Sequence, residues 1–144
     1  MVSNPDADHI GGFLDVFDAF PVETVYVSGD PNNTLTYNTF LRGVRDEGAR
    51  TEVLRAGMLM DWAGVRADVV GPPTDLEGGL FSEINDNSVA ILLTYGTARI
   101  LLAGDAEANE EEYMANGPNI GPLTISTVAS SFLTQHKHSF SWFA

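Results

Sequence analysis

Asn4-Pro5-Asp6-Ala7-Asp8-His9-Ile10-Gly11-Gly12 sets two carboxylates and an imidazole within positions 6 to 9, ahead of a glycine pair and an apolar run that begins at Phe13. This order suits a metal-binding loop at the end of a strand. Alternate residues Asn4, Asp6 and Asp8 can converge on one point if the chain turns there, and the start of a helix carries His9 to a second point. Hard and borderline ligands side by side suit a pair of divalent cations. An acidic cluster beside one His is, by itself, more often a solvated loop or helix cap, so the rest of the chain has to decide.

Outward from that loop the pattern is α/β. Ile10 to Ala19 reads as a helix, with the Asp8 carboxylate near its N-terminus, where negative charge is favoured. Pro21 breaks it, Val25 to Ser28 forms a short strand, and Gly29-Asp30-Pro31-Asn32-Asn33 is dense in turn formers. Leu35 to Glu47 resumes helical spacing with Phe40, Leu41 and Val44 on one face and Gly48 as a stop. Thr51 to Leu54 and Val65 to Val70 read as strands of a hairpin-rich sheet. A breaker-rich loop from Gly71-Pro72-Pro73 to Gly78-Gly79 leads to paired strands, Val89 to Tyr95 and Ala98 to Ala103, around Tyr95-Gly96-Thr97. Glu107 to Ala115 closes the pattern as an acidic helix ended by Asn116-Gly117-Pro118.

The loop resembles the His-x-His-x-Asp-His loop of the metallo-β-lactamase superfamily, and more closely its competence-protein (ComEC-like) branch, where it usually reads Ser-His-Pro-Asp-Ala-Asp-His-Ile-Gly-Gly. One position differs: Asn4 stands where that branch has His. Further matches come in the family's order. They are the helix, proline break and strand from Phe17 to Asp30, then Asn85-Asp86-Asn87-Ser88-Val89, then Ile100-Leu101-Leu102-Ala103-Gly104-Asp105-Ala106-Glu107, similar to Leu-Leu-Thr-Gly-Asp-Ala-Glu.

The resemblance implies a partial αββα metallo-β-lactamase fold over residues 1–123, lacking the N-terminal strands of such a domain, followed by an atypical tail over 124–144 in place of an apolar strand and His-His-Gly-Ser. It implies Asp6, Asp8, His9 and Asp105 as metal ligands: Asp8 and His9 on one metal, Asp105 bridging, Asp6 on the other beside Asn4. Asp8 doubles as the catalytic residue that orients the attacking water. The expected metals are zinc or manganese. Asn4 is a poorer ligand than imidazole, so the first site is expected to be weakened.

The resemblance, rather than the residues, implies the substrate class, a nucleic-acid phosphodiester hydrolysed in connection with DNA uptake, and β-lactam hydrolysis is less expected because an Asp at position 6 in place of His hardens the ligand set. The other expectation is a catalytically inactive fragment with residual single-metal binding. The tail is Ser/Thr-rich and aromatic, all 20 acidic residues lie at or before Glu112, and His136-Lys137-His138-Ser139 is a faint echo of the missing motif. Asn85, Asp86 and Asn87 are expected to serve turn structure, and Trp62, Trp142 and Phe143 to pack or lie exposed rather than stack bases.

Composition sets further bounds. The 144 residues are 44% hydrophobic, enough for one modest core. The absence of cysteine excludes disulfides and thiolate zinc sites. No apolar run approaches the length of about 18 residues needed to cross a bilayer, so the chain reads as soluble, although the resembled relatives are fused to a membrane domain. A net charge of −13, with one Lys and six Arg, opposes approach to a polyanion in dilute buffer. At about 1 M salt the Debye length is only about 3 Å and that repulsion fades. A salt-loving source and an ordinary acidic protein both fit.

Overall fold

The computed structural model describes residues 1–74, 83–118 and 120–127. The chain is mixed α/β, with helices on two sheets. Two short helices, α1 (Ala7–Ile10) and α2 (Phe13–Ala19), precede strand β1 (Thr24–Val27), helix α3 (Leu35–Glu47) and strand β2 (Arg50–Val53). β1 and β2 pair in parallel across α3, with Thr24 opposite Arg50 and Val27 opposite Val53. This is the crossover a parallel pair requires. The second sheet runs β3 (Leu59–Trp62), β4 (Val65–Gly71), β5 (Ala90–Tyr95), β6 (Ala98–Leu102) and β7 (Ile125–Thr127), antiparallel except for the last pair. Helix α4 (Ala108–Asn116) lies between β6 and β7 in sequence.

Side-chain alternation assigns the layers. Val25 and Val27 face the helices and pack with Val2, Ile10, Phe40 and Val44, while Tyr26, on the opposite face of β1, packs with Leu54, Ala67, Val69 and Ile91. The far face of the large sheet carries Val70, Leu92 and Leu101 against Met114 of α4. The order is therefore helices, small sheet, large sheet, helix, with strand period 2 deciding which side chain enters which core. α3 is held at both ends, by Thr34 Oγ1 accepting the Tyr37 N–H at 3.2 Å and by Gly48. Its buried Phe40 meets the Phe13 ring edge-on at 5.5 Å.

Several sequence expectations change here. The helix read from Ile10 to Ala19 is two helices, because the Gly11-Gly12 pair gives the chain a swivel with no side chain to pack. Arg50–Val53 does not form a hairpin with the strand that follows. It joins β1, and β3, which the sequence did not suggest, makes the hairpin with β4 around Ala63-Gly64, both at positive φ. Ile125–Thr127 adds a strand to β6 within the stretch read as atypical tail, while the rest of that tail, from 128 to 144, lies outside the described residues. His136, Lys137, His138, Trp142 and Phe143 fall there, as do Gly78 and Gly79 of the loop before β5 in the separate stretch 75–82. Among the described residues no helix is long and apolar enough to cross a membrane.

Candidate metal centre

Residues ahead of α1 are tied to both sheets. The Val2 N–H donates to Tyr26 O on β1 at 2.8 Å, and Ser3 O accepts the Val89 N–H ahead of β5 at 2.8 Å. This seam aims the loop at the end of β6. Asp105 arrives from the other side, just after β6, through Gly104 at φ +60. A Cβ on Gly104 would lie 2.9 Å from Ser3 Cβ and 3.0 Å from Ser88 Cβ, so glycine is needed both for the turn and for the close approach of the loops.

The two segments meet at His9. Its Nε2 lies 2.7 Å from Asp105 Oδ2, across 96 positions of sequence, and 3.7 Å from Asp8 Oδ2. One donor atom from each of Asp8, His9 and Asp105 lies within 4.8 Å of the others. Nδ1 of His9 is engaged by Ser3 Oγ at 2.8 Å, which leaves Nε2 as the nitrogen facing the carboxylates. Asp105 is steadied through its backbone N–H, which donates to Ser88 Oγ at 3.2 Å. Side-chain exposure falls from 83% at Asp8 through 43% at Asp105 to 20% at His9, so the group has a fixed interior and an open rim.

Two carboxylates and one imidazole suit a borderline divalent cation, and ligands bound at about 2.0–2.2 Å sit roughly 3.4 Å apart in a tetrahedral shell. The 2.7 and 3.7 Å separations from His9 bracket that spacing and all three donor atoms lie within 4.8 Å, so Asp8, His9 and Asp105 form a group that could hold a metal ion. The open rim leaves room for water as a fourth ligand.

Asp6 is placed differently. It is outside that three-residue group, and its Oδ1 accepts from Asn32 Nδ2 at 3.2 Å, on the loop that follows β1. Asn4 is fully buried, and both ends of its amide are engaged: Oδ1 accepts the Asp6 N–H at 3.0 Å, and Nδ2 donates to Ser88 Oγ over 3.4 Å. It acts as a strut between the loop and the large sheet.

Asn85–Asn87 form a 3-10 turn with structural bonds, in keeping with the role expected for them. Asn85 donates to Glu107 Oε1 at 2.9 Å, and Asn87 donates to Asp30 Oδ2 at 2.8 Å and Glu83 O at 3.2 Å. Burial pushes the Asp30 carboxyl up, and the Asn87 amide and the Arg55 charge oppose that shift. Behind the turn, Asp86 accepts from the Asn109 side chain at 2.5 Å and from the Glu110 N–H at 3.2 Å, which fastens the start of α4 to the site. The Glu110 carboxyl is wholly buried, and among the described residues neither oxygen has a well-formed hydrogen bond, the nearby Ser88 N–H being donated to Asn85 O at 3.0 Å. Desolvation first, then the Asp86 charge, push it up to about 9, with the Ser88 amide pulling weakly the other way.

Ser3, Ser88, Asn32 and Glu110 were not singled out as site residues from sequence. Ser3 and Ser88 adjoin motifs that were read, but a lone hydroxyl carries no periodicity or spacing that marks it.

An α/β framework carrying a His/Asp/Asp group at the seam between two sheets is the class the coordinates define. No family model matches the chain. It is similar to Recombination protein 2 of Haemophilus influenzae, with 27% identity over 128 residues, covering 89% of this chain and 14% of that protein. The chain thus spans about one seventh of the length of the relative it matches.

Proposed function

We propose that this chain carries the centre of a metal-dependent hydrolase of the metallo-β-lactamase type, phosphodiesterase-like and linked to DNA uptake, in the competence-protein branch that its motifs resemble. The observation that carries this reading is the meeting of His9 and Asp105 at 2.7 Å from motifs 96 residues apart, with Asp8 at the rim. The similarity to a recombination protein supports the link to DNA.

A zinc or manganese ion held by Asp8, His9 and Asp105 would supply a Lewis acid for a phosphoryl oxygen and lower the pKa of a bound water. The remaining chemistry is the chain's own. Ser3 fixes the His9 ring, and Ser88 fixes the backbone at Asp105. Asp8, the most exposed of the three, is free to accept a hydrogen bond from an attacking water and orient it.

A second reading is a binding-competent but catalytically inactive centre with one metal, and Asn4 favours it. Its amide is committed to Asp6 and Ser88, so the position that should serve a second ion holds a strut instead of a ligand.

Calorimetric titration with zinc and manganese, paired with hydrolysis of a chromogenic phosphodiester, tests both readings. One equivalent should bind, and His9→Ala or Asp105→Asn should weaken it about a hundredfold by removing one of three protein ligands. Binding unaffected by either substitution would end the metal-centre reading. Turnover that requires His9 and Asp105 supports the hydrolase, whereas metal binding without turnover supports the inactive centre.

A further inference from the structure

Beside the C-terminal end of α4, on the face of the large sheet opposite the small one, a cavity of about 460 Å³ opens over β4, β5 and β6. Its Thr94 and Arg99 end lies away from the metal centre: the six residue steps from Ser88 to Thr94 span about 20 Å of extended chain. Thr94 sits opposite Arg66 on one side and Arg99 on the other, and Asp68 sits opposite Leu92, so strand alternation brings these five side chains to one face. Met58 and Leu59, both exposed, give the cavity an apolar wall, with Leu59 opposite Asp68, above the buried Val70 and Leu92 of the core under α4.

The two arginines are not equivalent. Arg66 spends its fork on Asp68, with Nε 2.8 Å from Oδ2 and Nη2 2.6 Å from Oδ1. Arg99 Nε is shielded from solvent and, among the described residues, has no hydrogen-bond partner. A shielded guanidinium donor without an acceptor is costly, and the partner that suits the planar guanidinium fork is a carboxylate, gripped through two parallel N–H groups.

Charge narrows the class of ligand. Arg66 and Asp68 cancel, so the lining keeps a single positive charge, in a chain whose net charge is −13. One anionic group is matched, while a polyanion meets the repulsion of the whole molecule. The cavity lies within the range of about 300–1,000 Å³ that holds small organic ligands, and its apolar wall has no polar demand.

We propose that this cavity binds an amphiphilic organic acid, a single carboxylate on a hydrocarbon body. Arg99 grips the carboxylate, and Met58 and Leu59 receive the hydrocarbon.

The experiment is calorimetric titration of the full chain with decanoate below its micellar concentration, beside decanol, acetate and inorganic phosphate. Decanoate should bind at one equivalent, at least tenfold tighter than decanol, acetate or phosphate. Arg99→Met should weaken it by at least tenfold while leaving zinc binding at His9 unchanged. No saturable decanoate binding, equal binding of decanol or phosphate, or an Arg99→Met protein that folds and binds decanoate as before would each overturn the proposal. If Arg99→Met does not fold, Arg99→Lys keeps the charge but removes the fork. It should still lose affinity for decanoate, and retention would count against the carboxylate grip.

Discussion

Glu110→Gln is the substitution whose effect the structure sets most sharply. The side chain is wholly buried, among the described residues neither carboxyl oxygen has a well-formed hydrogen bond, and the neighbouring Asp86 carboxylate adds like-charge repulsion. Its folded pKa is about 9 against an ordinary value of 4.5. A carboxyl raised in this way leaves stability intact below about pH 4.5 and removes it as pH climbs toward 9, because the unfolded chain gives up the proton first. Each pH unit in that window costs up to about 1.4 kcal/mol, so the loss is of order 3 kcal/mol at pH 7. Against a total of about 5–15 kcal/mol for a domain, that is a large fraction. Glutamine keeps the shape and has no proton to lose. Urea unfolding of both proteins at pH 5, 6, 7 and 8 should show a stability difference in favour of the glutamine form that widens with pH, by roughly 1 kcal/mol per unit. The slope is diagnostic, since any fixed cost of the buried amide shifts only the intercept. Parallel profiles, with a difference constant to about 0.5 kcal/mol, would refute the assignment of a neutral buried acid at position 110.

Two further substitutions probe the seam. Gly104→Ala places a Cβ 2.9 Å from Ser3 and 3.0 Å from Ser88 at a backbone with φ +60, and should cost about 2–4 kcal/mol in urea unfolding together with a clear loss of zinc affinity. Unchanged stability would mean that the loops do not meet as described. Ser3→Ala removes the partner of His9 Nδ1 and should change stability by less than about 1 kcal/mol while weakening zinc about tenfold or more in calorimetry. Wild-type affinity would remove Ser3 from the centre.

Much of this was legible in the chain, for reasons that differ by element. α3 announces itself with Gly48 after it and with the spacing of Phe40 and Val44, which is decisive because that face is buried. β5 and β6 were visible as apolar runs around a glycine turn. β3 was not, because Leu59-Met60-Asp61-Trp62 is an edge strand with little burial, and alternation shows only where one face enters a core. At the site, the loop and Gly104-Asp105 could be read as ordered motifs, but the hydroxyls that hold them could not. Glu110 was hidden most thoroughly: it stands in a run of three glutamates that reads as a solvated face, and only its spacing of four from Met114 hinted that it points inward.

Asn4 ties these observations together. Its amide stands at the position where the loop it resembles has an imidazole, and here it has a structural role. Ser88 Oγ accepts both the Asn4 amide and the Asp105 N–H, so one hydroxyl clasps the metal loop and the end of β6 at once. With Ser3 engaging Nδ1, His9 is held from a second side. Bonding of this kind fixes the first ligands before a metal arrives and cuts the ordering cost of binding. It also sets a tautomeric condition. A metal held by His9 would use the Nε2 lone pair, which requires the ring proton on Nδ1, donated to Ser3 Oγ. The Asn4 amide thus braces the frame around His9 and Asp105, so the three residues that could hold an ion are positioned by bonds that do not depend on one.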